Sequence, residues 1–349
     1  MQSTFPYRLK SARIQRGLTQ EELGRAIGVS KQAISQYEHG RKKPNSRTLV
    51  ALARYLNKPA AYFLRPVIAP LDQVEFRKKA KLKGKKLAIV KANILDRLEP
   101  YLELEDILQL DIPFQNPLAD FPVQSVEDAE RAADHLRQAW NIGSNPIPNS
   151  LEMLEDVGVK VVEVDADLLF DGLSTWIRQN IPVIVLNQQM DVLRKRFTTM
   201  HELGHLLLQL PNDADHSFKE NVCNRFAGAM LIPAAELIKE LGEKRNHLIL
   251  SELVAVKEYF GISLAALVYR CRDLEIFSNA LSKRFWKWRS QNPDLKKENG
   301  FGTYAGVEHS NRFAQLLYKA LAEDIISLSK AAGLSQQSIQ ELQQKHELI

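Results

Sequence analysis

The stretch Arg194–Leu208, R-K-R-F-T-T-M-H-E-L-G-H-L-L-L, decides how the middle of the chain folds. It is apolar enough to form a buried helix, on which His201 and His205 lie on one face about one turn apart. Two imidazoles at that spacing can bind one zinc ion, and Glu202 can take a proton from a water at the same metal. Because this H-E-x-x-H pattern also arises by chance, a third protein ligand must complete the site.

A second helix-like segment, residues 219–233, offers that ligand. Glu220 lies near its start, and Asn224 follows four residues later on the same face. A Glu-x-x-x-Asp/Asn helix packed on an H-E-x-x-H helix is the gluzincin arrangement, in which the Glu binds zinc and the Asp or Asn orients one zinc-binding histidine. Alternatively, Glu220 is a solvated carboxylate at a helix start. Rival ligands in the preceding loop are Asp213, Asp215 and His216. Cys223 is expected on a different face, as a small buried residue.

The two segments together carry a family resemblance. F-T-x-x-H-E-L-G-H-L-L-L followed by E-x-x-x-N-R-F-A-x-x-x-L-x-P resembles the ImmA/IrrE metallopeptidases of bacteria and phages over roughly residues 117–280. Met200 and Cys223 depart from it, since Ala is usual at both positions. The resemblance implies a zinc-dependent endopeptidase that cleaves a repressor or antitoxin protein, or this chain itself. The implied site is zinc held by His201, His205 and Glu220, with Glu202 as the general base and Asn224 orienting a histidine.

Residues 7–64 are typical of several short helices joined by a tight turn. Thr19 and Glu22 form a capping box that opens the second helix, which stops near Gly28. Ser30 is expected to cap a third helix, and Ser46 a fourth. A fifth, short helix ends near residue 64. The string L-T-Q-E-E-L-G-x-x-I-G-V-S-x-Q-x-I-S-x-Y-E-x-G-x-x-x-P resembles the Xre/Cro/C1 repressor family over this whole stretch.

This second resemblance implies that the third helix enters the major groove of double-stranded DNA. Its exposed face would carry the side chains that reach base edges, namely Lys31, Gln32 and Ser35, with Gln36 as a further contact. It also implies that Gln20 contacts a phosphate and braces Gln32. Basic side chains that would position the DNA backbone are Arg41, Lys42, Lys43 and Arg47, although Arg41–Lys43 could be a solvated loop. Since such domains bind palindromic operators as two-fold dimers, we expect a homodimer.

The charge distribution favours a nucleic-acid surface near the N-terminus. The chain of 349 residues has a formal net charge of +5, but residues 1–65 alone hold 13 Lys and Arg against 3 Asp and Glu. Residues 66–91 are basic too, so the rest of the chain is acidic. Two distant cysteines, no apolar signal segment and no run of 18 apolar residues predict a cytoplasmic protein without a membrane span.

We predict a multidomain, mainly α protein. A five-helix helix-turn-helix (HTH) domain occupies 1–65, a basic linker and amphipathic helix 66–116, an α+β zincin-like metallopeptidase domain 117–280, and a helical tail of unassigned role 281–349. A small antiparallel sheet precedes the zinc helix. Its segment Gly172–Trp176 is either a substrate-binding edge or plain structural sheet. No oxyanion-stabilising group is evident, although Tyr304 or His309 could serve if the tail folds back.

The function predicted from these motifs is a DNA-binding transcription regulator with a zinc-dependent peptidase domain. Two alternatives stay open at this point. In the first, the chain is a DNA-binding repressor whose metal domain is a sensor or a structural unit without proteolysis. In the second, it is a component of a toxin–antitoxin system that acts by protein–protein contact.

Overall fold

A computed structural model describes residues 4–67, 84–110, 113–167, 169–178 and 180–346. The chain forms two compact units: residues 1–112, 162–170 and 311–349 make the first, and residues 113–161 and 171–310 the second. Most of the predicted basic linker, and Gln179 shortly after the predicted sheet segment Gly172–Trp176, lie outside the described residues.

The first unit begins with the HTH domain. Its elements are α1 Thr4–Gln15, α2 Gln20–Ile27, α3 Lys31–Glu38, α4 Ser46–Leu56 and a 3₁₀ helix Ala60–Leu64. The capping box of Thr19 and Glu22 opens α2, and Gly28 ends it in a left-handed conformation that glycine adopts without strain. Ser30 caps α3 as expected. The expected cap of α4 is wrong by one residue, because the Asn45 side chain accepts from the Thr48 amide. One buried cluster holds these helices together, including Leu9, Leu23, Ile34, Leu52 and Phe63.

A long helix, α5 Gly84–Ile107, packs against α1 of the HTH domain. A buried ion pair and a hydrogen bond join the two: Arg8 donates to Glu99, and Gln15 Nε2 donates to Asp96 Oδ2 at 3.1 Å. The predicted amphipathic helix therefore exists, and one of its packing partners is the HTH domain that precedes it.

The second unit contains most of a three-stranded sheet and nine of the described α-helices. Its elements are α6 Asp128–Ala139, α7 Ser150–Asp156, β1 Lys160–Val164 (which continues into the first unit), β2 Gly172–Ile177, β3 Ile181–Asn187, α8 Val192–Leu207, α9 His216–Leu231, α10 Ala234–Leu241, α11 Leu250–Phe260, α12 Leu264–Asp273, α13 Asn279–Gln291 and α14 Pro293–Lys297. The strand order is β1-β3-β2, and β2 pairs antiparallel with β3 from Gly172 opposite Leu186 to Ile177 opposite Ile181. Within the described residues, β2 is thus an edge strand.

The C-terminal segment predicted as one extension, 281–349, divides between the units. Residues 281–310 belong to the second. The first contains α15 Arg312–Ala322, α16 Leu328–Ser335 and α17 Ile339–His346. In it, α15 and α16 are separate helices. Their apolar side chains share a core with Tyr101 and Leu104 of α5. The prediction of a multidomain, mainly α fold with a small sheet and a helical tail is confirmed. None of the described helices combines the length and apolar character that a bilayer span needs.

Candidate metal centre and DNA-contact face

Helices α8 and α9 bring two histidines and a glutamate together. Asp191 caps α8 and Asp215 caps α9, each accepting a hydrogen bond from a backbone amide of its first turn. His201 Nε2 and His205 Nε2 lie 3.0 Å apart. The Glu220 carboxylate reaches both, with Oε2 3.4 Å from His201 Nε2 and Oε1 3.4 Å from His205 Nε2. The structure therefore places the three predicted ligand side chains at one point.

The two distances of 3.4 Å between the carboxylate and the imidazoles fit the coordination of a zinc ion, and the 3.0 Å between the two imidazole nitrogens is slightly shorter. Donors bound tetrahedrally at Zn–N and Zn–O distances of about 2.0–2.2 Å lie about 3.3–3.6 Å from one another. Among the described residues, His201, His205 and Glu220 form the one cluster of three or more His, Cys, Asp or Glu side chains whose ligand atoms lie close enough to hold a metal ion. Of the rival ligands, Asp215 serves as the helix cap, while His216 Nδ1 lies 3.6 Å from Glu220 Oε1 with its side chain 74% exposed.

Glu202 is buried and held by a residue that the sequence did not point to. Ser174 Oγ donates to Glu202 Oε2 at 2.7 Å. Ser174 lies on β2, which approaches α8 so closely that a Cβ added at Gly172 would meet the Thr198 methyl at 2.9 Å. The edge strand thus fixes the orientation of the carboxylate. Because 28 residues separate the donor from the acceptor, no local sequence pattern could predict this hydrogen bond.

The other ring nitrogen of His205 contacts α9. Cys223 Sγ lies 2.9 Å from His205 Nδ1, and both side chains are buried. Cys223 is buried as expected, but the prediction that it lies on a different helix face from Glu220 was wrong. On a helix, residues three apart share a face, as residues four apart do. The spacing of Glu220 and Cys223 could therefore have predicted this contact. Asn224, the residue expected to orient a histidine, is exposed to solvent.

Within the second unit, the segment after α14 contacts α8 and the residues at the start of α7. Arg196 of α8 is fully buried and donates to the carbonyls of Gly261 at 2.9 Å and Ile147 at 2.7 Å, and also to the Glu308 carboxylate. Glu308 further accepts from the Ser150 amide at 2.9 Å and the Ser150 hydroxyl at 2.6 Å. Burial raises the pKa of Glu308, against the opposing charge of Arg196.

The two residues considered for oxyanion stabilisation lie on this same segment. The Tyr304 hydroxyl donates to the Pro148 carbonyl at 3.3 Å, and its ring lies against the Arg196 guanidinium with 4.8 Å to the centroid. The His309 carbonyl accepts from Asn149 Nδ2 at 2.9 Å. These contacts tie the segment to α7 and α8, and the assignment of Tyr304 or His309 as an oxyanion group stays a prediction.

In the HTH domain, the side chains predicted to meet DNA are largely accessible. Lys31 and Gln32, at the start of α3, are exposed, and Ser35 and Gln36 are half-buried. Ile34 and Tyr37 face the core. The predicted backbone-contacting residues are all exposed, namely Arg41, Lys42, Lys43 and Arg47. Across the described residues, no acidic side chain forms an ion pair with these four cations, so they remain available for phosphates.

A buried polar clamp sets the orientation of α3. Arg13 of α1 donates to both carboxylate oxygens of Glu38, at 2.6 and 3.0 Å, and Gln20 Nε2 donates to Glu38 Oε2 at 2.8 Å. Gln20, which the family resemblance placed against a phosphate and Gln32, is thus engaged with the end of α3. Because such charge-assisted bonds are strong and directional, the clamp holds α3 against α1 and α2.

Two families match this chain. The Helix-turn-helix family matches residues 9–63, and the IrrE N-terminal-like domain of the Peptidase M78 family matches residues 154–272. The second match includes both histidines of α8 and Glu220 on α9. The chain therefore carries an Xre-type HTH domain followed by an IrrE/ImmA-like domain.

Curated relatives resemble the N-terminal part. The transcriptional repressor RstR of the cryptic phage CTXphi of Vibrio cholerae is 30% identical over 69 residues, which are 20% of this chain and 62% of RstR. YonR, an uncharacterized HTH-type transcriptional regulator from the SPbeta prophage of Bacillus subtilis (strain 168), is 29% identical over 68 residues, which are 20% of this chain and 63% of YonR. The chain thus spans less than two thirds of the length of these relatives.

Proposed function

We propose that the chain is a cytoplasmic DNA-binding transcription regulator whose second unit is a zinc-dependent endopeptidase. The observation that carries the proposal is that ligand atoms of His201, His205 and Glu220 all lie within 4.8 Å of one another, with the carboxylate 3.4 Å from each imidazole nitrogen. Glu202, a buried carboxylate on the same helix, is held in one orientation by Ser174. The matches to an HTH family and to a peptidase family support the two halves of the proposal.

Zinc would be held by Nε2 of both histidines and by the Glu220 carboxylate. This donor set of two imidazoles and one carboxylate is one of those that catalytic zinc sites use, with one position left open. Bound there, zinc supplies Lewis acidity, which makes water nucleophilic near neutral pH and polarises a peptide carbonyl.

The remaining chemistry belongs to the residues of α8 and β2. Glu202 would accept the proton of the attacking water and later deliver it to the departing amine. The Ser174 hydroxyl, donating to Oε2, keeps that carboxylate from rotating during the transfer. An extended peptide could pair with the edge of β2 by backbone hydrogen bonds. The strand that orients the base would then also align the substrate.

The proposed substrate is a repressor or antitoxin protein, this chain included. The HTH domain would bind a palindromic operator as a homodimer. In it, Lys31, Gln32 and Ser35, with Gln36, would read base edges. The four exposed cations Arg41, Lys42, Lys43 and Arg47 would contact phosphates. Cleavage of a repressor on or near the operator would then relieve repression.

The test compares the wild type with Glu202→Gln. Both proteins are loaded with zinc and incubated alone and with the product of the adjacent gene, and the products are identified by mass spectrometry. We expect cleavage by the wild type and none by Glu202→Gln. Zinc content and operator binding should be equal in the two proteins, because the substitution keeps the size of the side chain.

The outcomes separate the alternatives. If Glu202→Gln cleaves as fast as the wild type, the proposed role of Glu202 is wrong. If neither protein cleaves, and operator binding instead changes when zinc is removed, the metal domain is a sensor. If the product of the adjacent gene co-purifies uncleaved, contact between the two proteins is the mechanism.

A further inference from the structure

The contact between His205 and α9 has a chemical consequence that rests on the proposed metal centre. Cys223 lies one turn after Glu220 on α9. The same helix therefore places a carboxylate 3.4 Å from His205 Nε2 and a sulfur atom 2.9 Å from His205 Nδ1. The imidazole of His205 is held between two groups of one rigid element.

A histidine that ligates a metal needs its second ring nitrogen satisfied. When Nε2 binds the metal, the proton of the neutral ring lies on Nδ1, and an acceptor there fixes the tautomer and the ring orientation. A carboxylate or a backbone carbonyl is the usual acceptor. Here the cysteine sulfur, a weak acceptor, lies at hydrogen-bond distance from Nδ1.

The packing of the helices makes room for this contact. A Cβ added at Gly204, next to His205, would lie 3.3 Å from Cys223 Sγ, 3.4 Å from Cys223 Cα and 3.2 Å from the Phe226 ring. Glycine at this position lets α9 approach α8 closely enough for the sulfur to reach the imidazole. By contrast, the neighbouring Asn224 points to solvent.

We propose that Cys223 is a positioning residue of the metal centre, which holds His205 with Nε2 directed at the metal by accepting a hydrogen bond from Nδ1. This hydrogen bond raises the affinity of the site for zinc, and the sulfur itself contacts neither metal nor substrate. The sequence-based expectation gave this role to Asn224.

Four variants of the full-length chain test the proposal: Cys223→Ala, Cys223→Ser, Asn224→Ala and Cys271→Ala. Cys271 is the matched control, because it is also a fully buried free cysteine, on α12. Zinc affinity is measured by competition with a chromogenic chelator, and the ring tautomer of His205 by ¹⁵N NMR of the zinc-loaded protein.

Loss of such an outer partner costs about 10–100-fold in metal affinity, so we expect that loss for Cys223→Ala. Cys223→Ser should recover most of it, because a hydroxyl also accepts a hydrogen bond. Asn224→Ala and Cys271→Ala should bind zinc as the wild type does. The Nδ1–H resonance of His205 should shift in Cys223→Ala and stay in place in Cys271→Ala.

Two results overturn the proposal. One is a zinc affinity of Cys223→Ala equal to that of Cys271→Ala. The other is an affinity of Cys223→Ser as low as that of Cys223→Ala, which would mean that packing rather than an acceptor matters. Failure of the metal centre itself would look different, since the wild type would then bind no zinc.

Discussion

Replacing Glu308 by alanine should destabilise the second unit more than removing the charge of an exposed ion pair does. The carboxylate is buried against the Arg196 guanidinium and accepts two hydrogen bonds from Ser150. Its removal leaves Arg196 fully buried with carbonyl partners only. It also removes the acceptor of the Ser150 amide and hydroxyl, and releases the segment that carries Tyr304.

The magnitude follows from these losses. Removing one partner of a buried ion pair costs about 3–5 kcal/mol, chiefly because the other charge stays buried without compensation. For a unit of this size, 1 kcal/mol corresponds to a melting temperature change of about 2–4 °C, so the midpoint should fall by roughly 6–20 °C. The matched control is Glu236→Ala, whose partner Lys239 is 73% exposed at 3.3 Å, and an exposed pair is worth at most about 1 kcal/mol.

Thermal unfolding and urea unfolding of the full-length chain, each followed by tryptophan fluorescence and circular dichroism, measure both variants. The slope of the urea transition should stay unchanged, while the urea midpoint and the melting temperature of Glu308→Ala both fall. If Glu308→Ala loses no more stability than Glu236→Ala, then the Arg196–Glu308 pair does not hold the segment to α8, and the reasoning is refuted.

Three further predictions concern other parts of the chain. Gly24→Ala would place a Cβ 2.7 Å from the Val29 carbonyl oxygen, so we expect a loss of about 1–3 kcal/mol in thermal unfolding and weaker operator binding in a gel-shift assay. Lys43→Ala should reduce the slope of log K against log salt by about 0.9, measured by fluorescence anisotropy on operator and on random DNA alike. The hydrogen bond from Arg131, with those from two backbone amides, lowers the pKa of Asp128. The stability from Asp128 is therefore present above its ordinary pKa of 3.8 and is lost as pH falls through the lowered value. Accordingly, the melting temperatures of the wild type and Asp128→Asn should differ at pH 7 and approach each other only in strong acid.

Local signals in the sequence predicted the elements that build both sites. Helical spacing and caps located α2, α3, α8 and α9, because these elements are set by hydrogen bonds and apolar contacts within a few residues. The ligand trio could be named for the same reason, since two of its members share one helix and the third opens the next.

Partners far apart in the chain could not be predicted in this way. Periodicity shows that α5 has an apolar face but not what covers it, and the structure covers it with α1 and the C-terminal helices. Ser174 and Glu308 act on α8 from 28 and 112 residues away. The Cys223 contact is local to α9, but it depends on how closely Gly204 lets two helices approach. Such approach distances follow from tertiary packing, which no motif encodes.

The zinc content of the purified chain beside that of Glu220→Ala is the measurement that tests the central claim most directly. His216→Ala is the control, since His216 lies beside Glu220 but is exposed. We predict about one zinc ion per chain in the wild type and in His216→Ala, and loss of zinc from Glu220→Ala, because two histidines alone do not complete the site. Full zinc occupancy with wild-type affinity in Glu220→Ala would contradict the account.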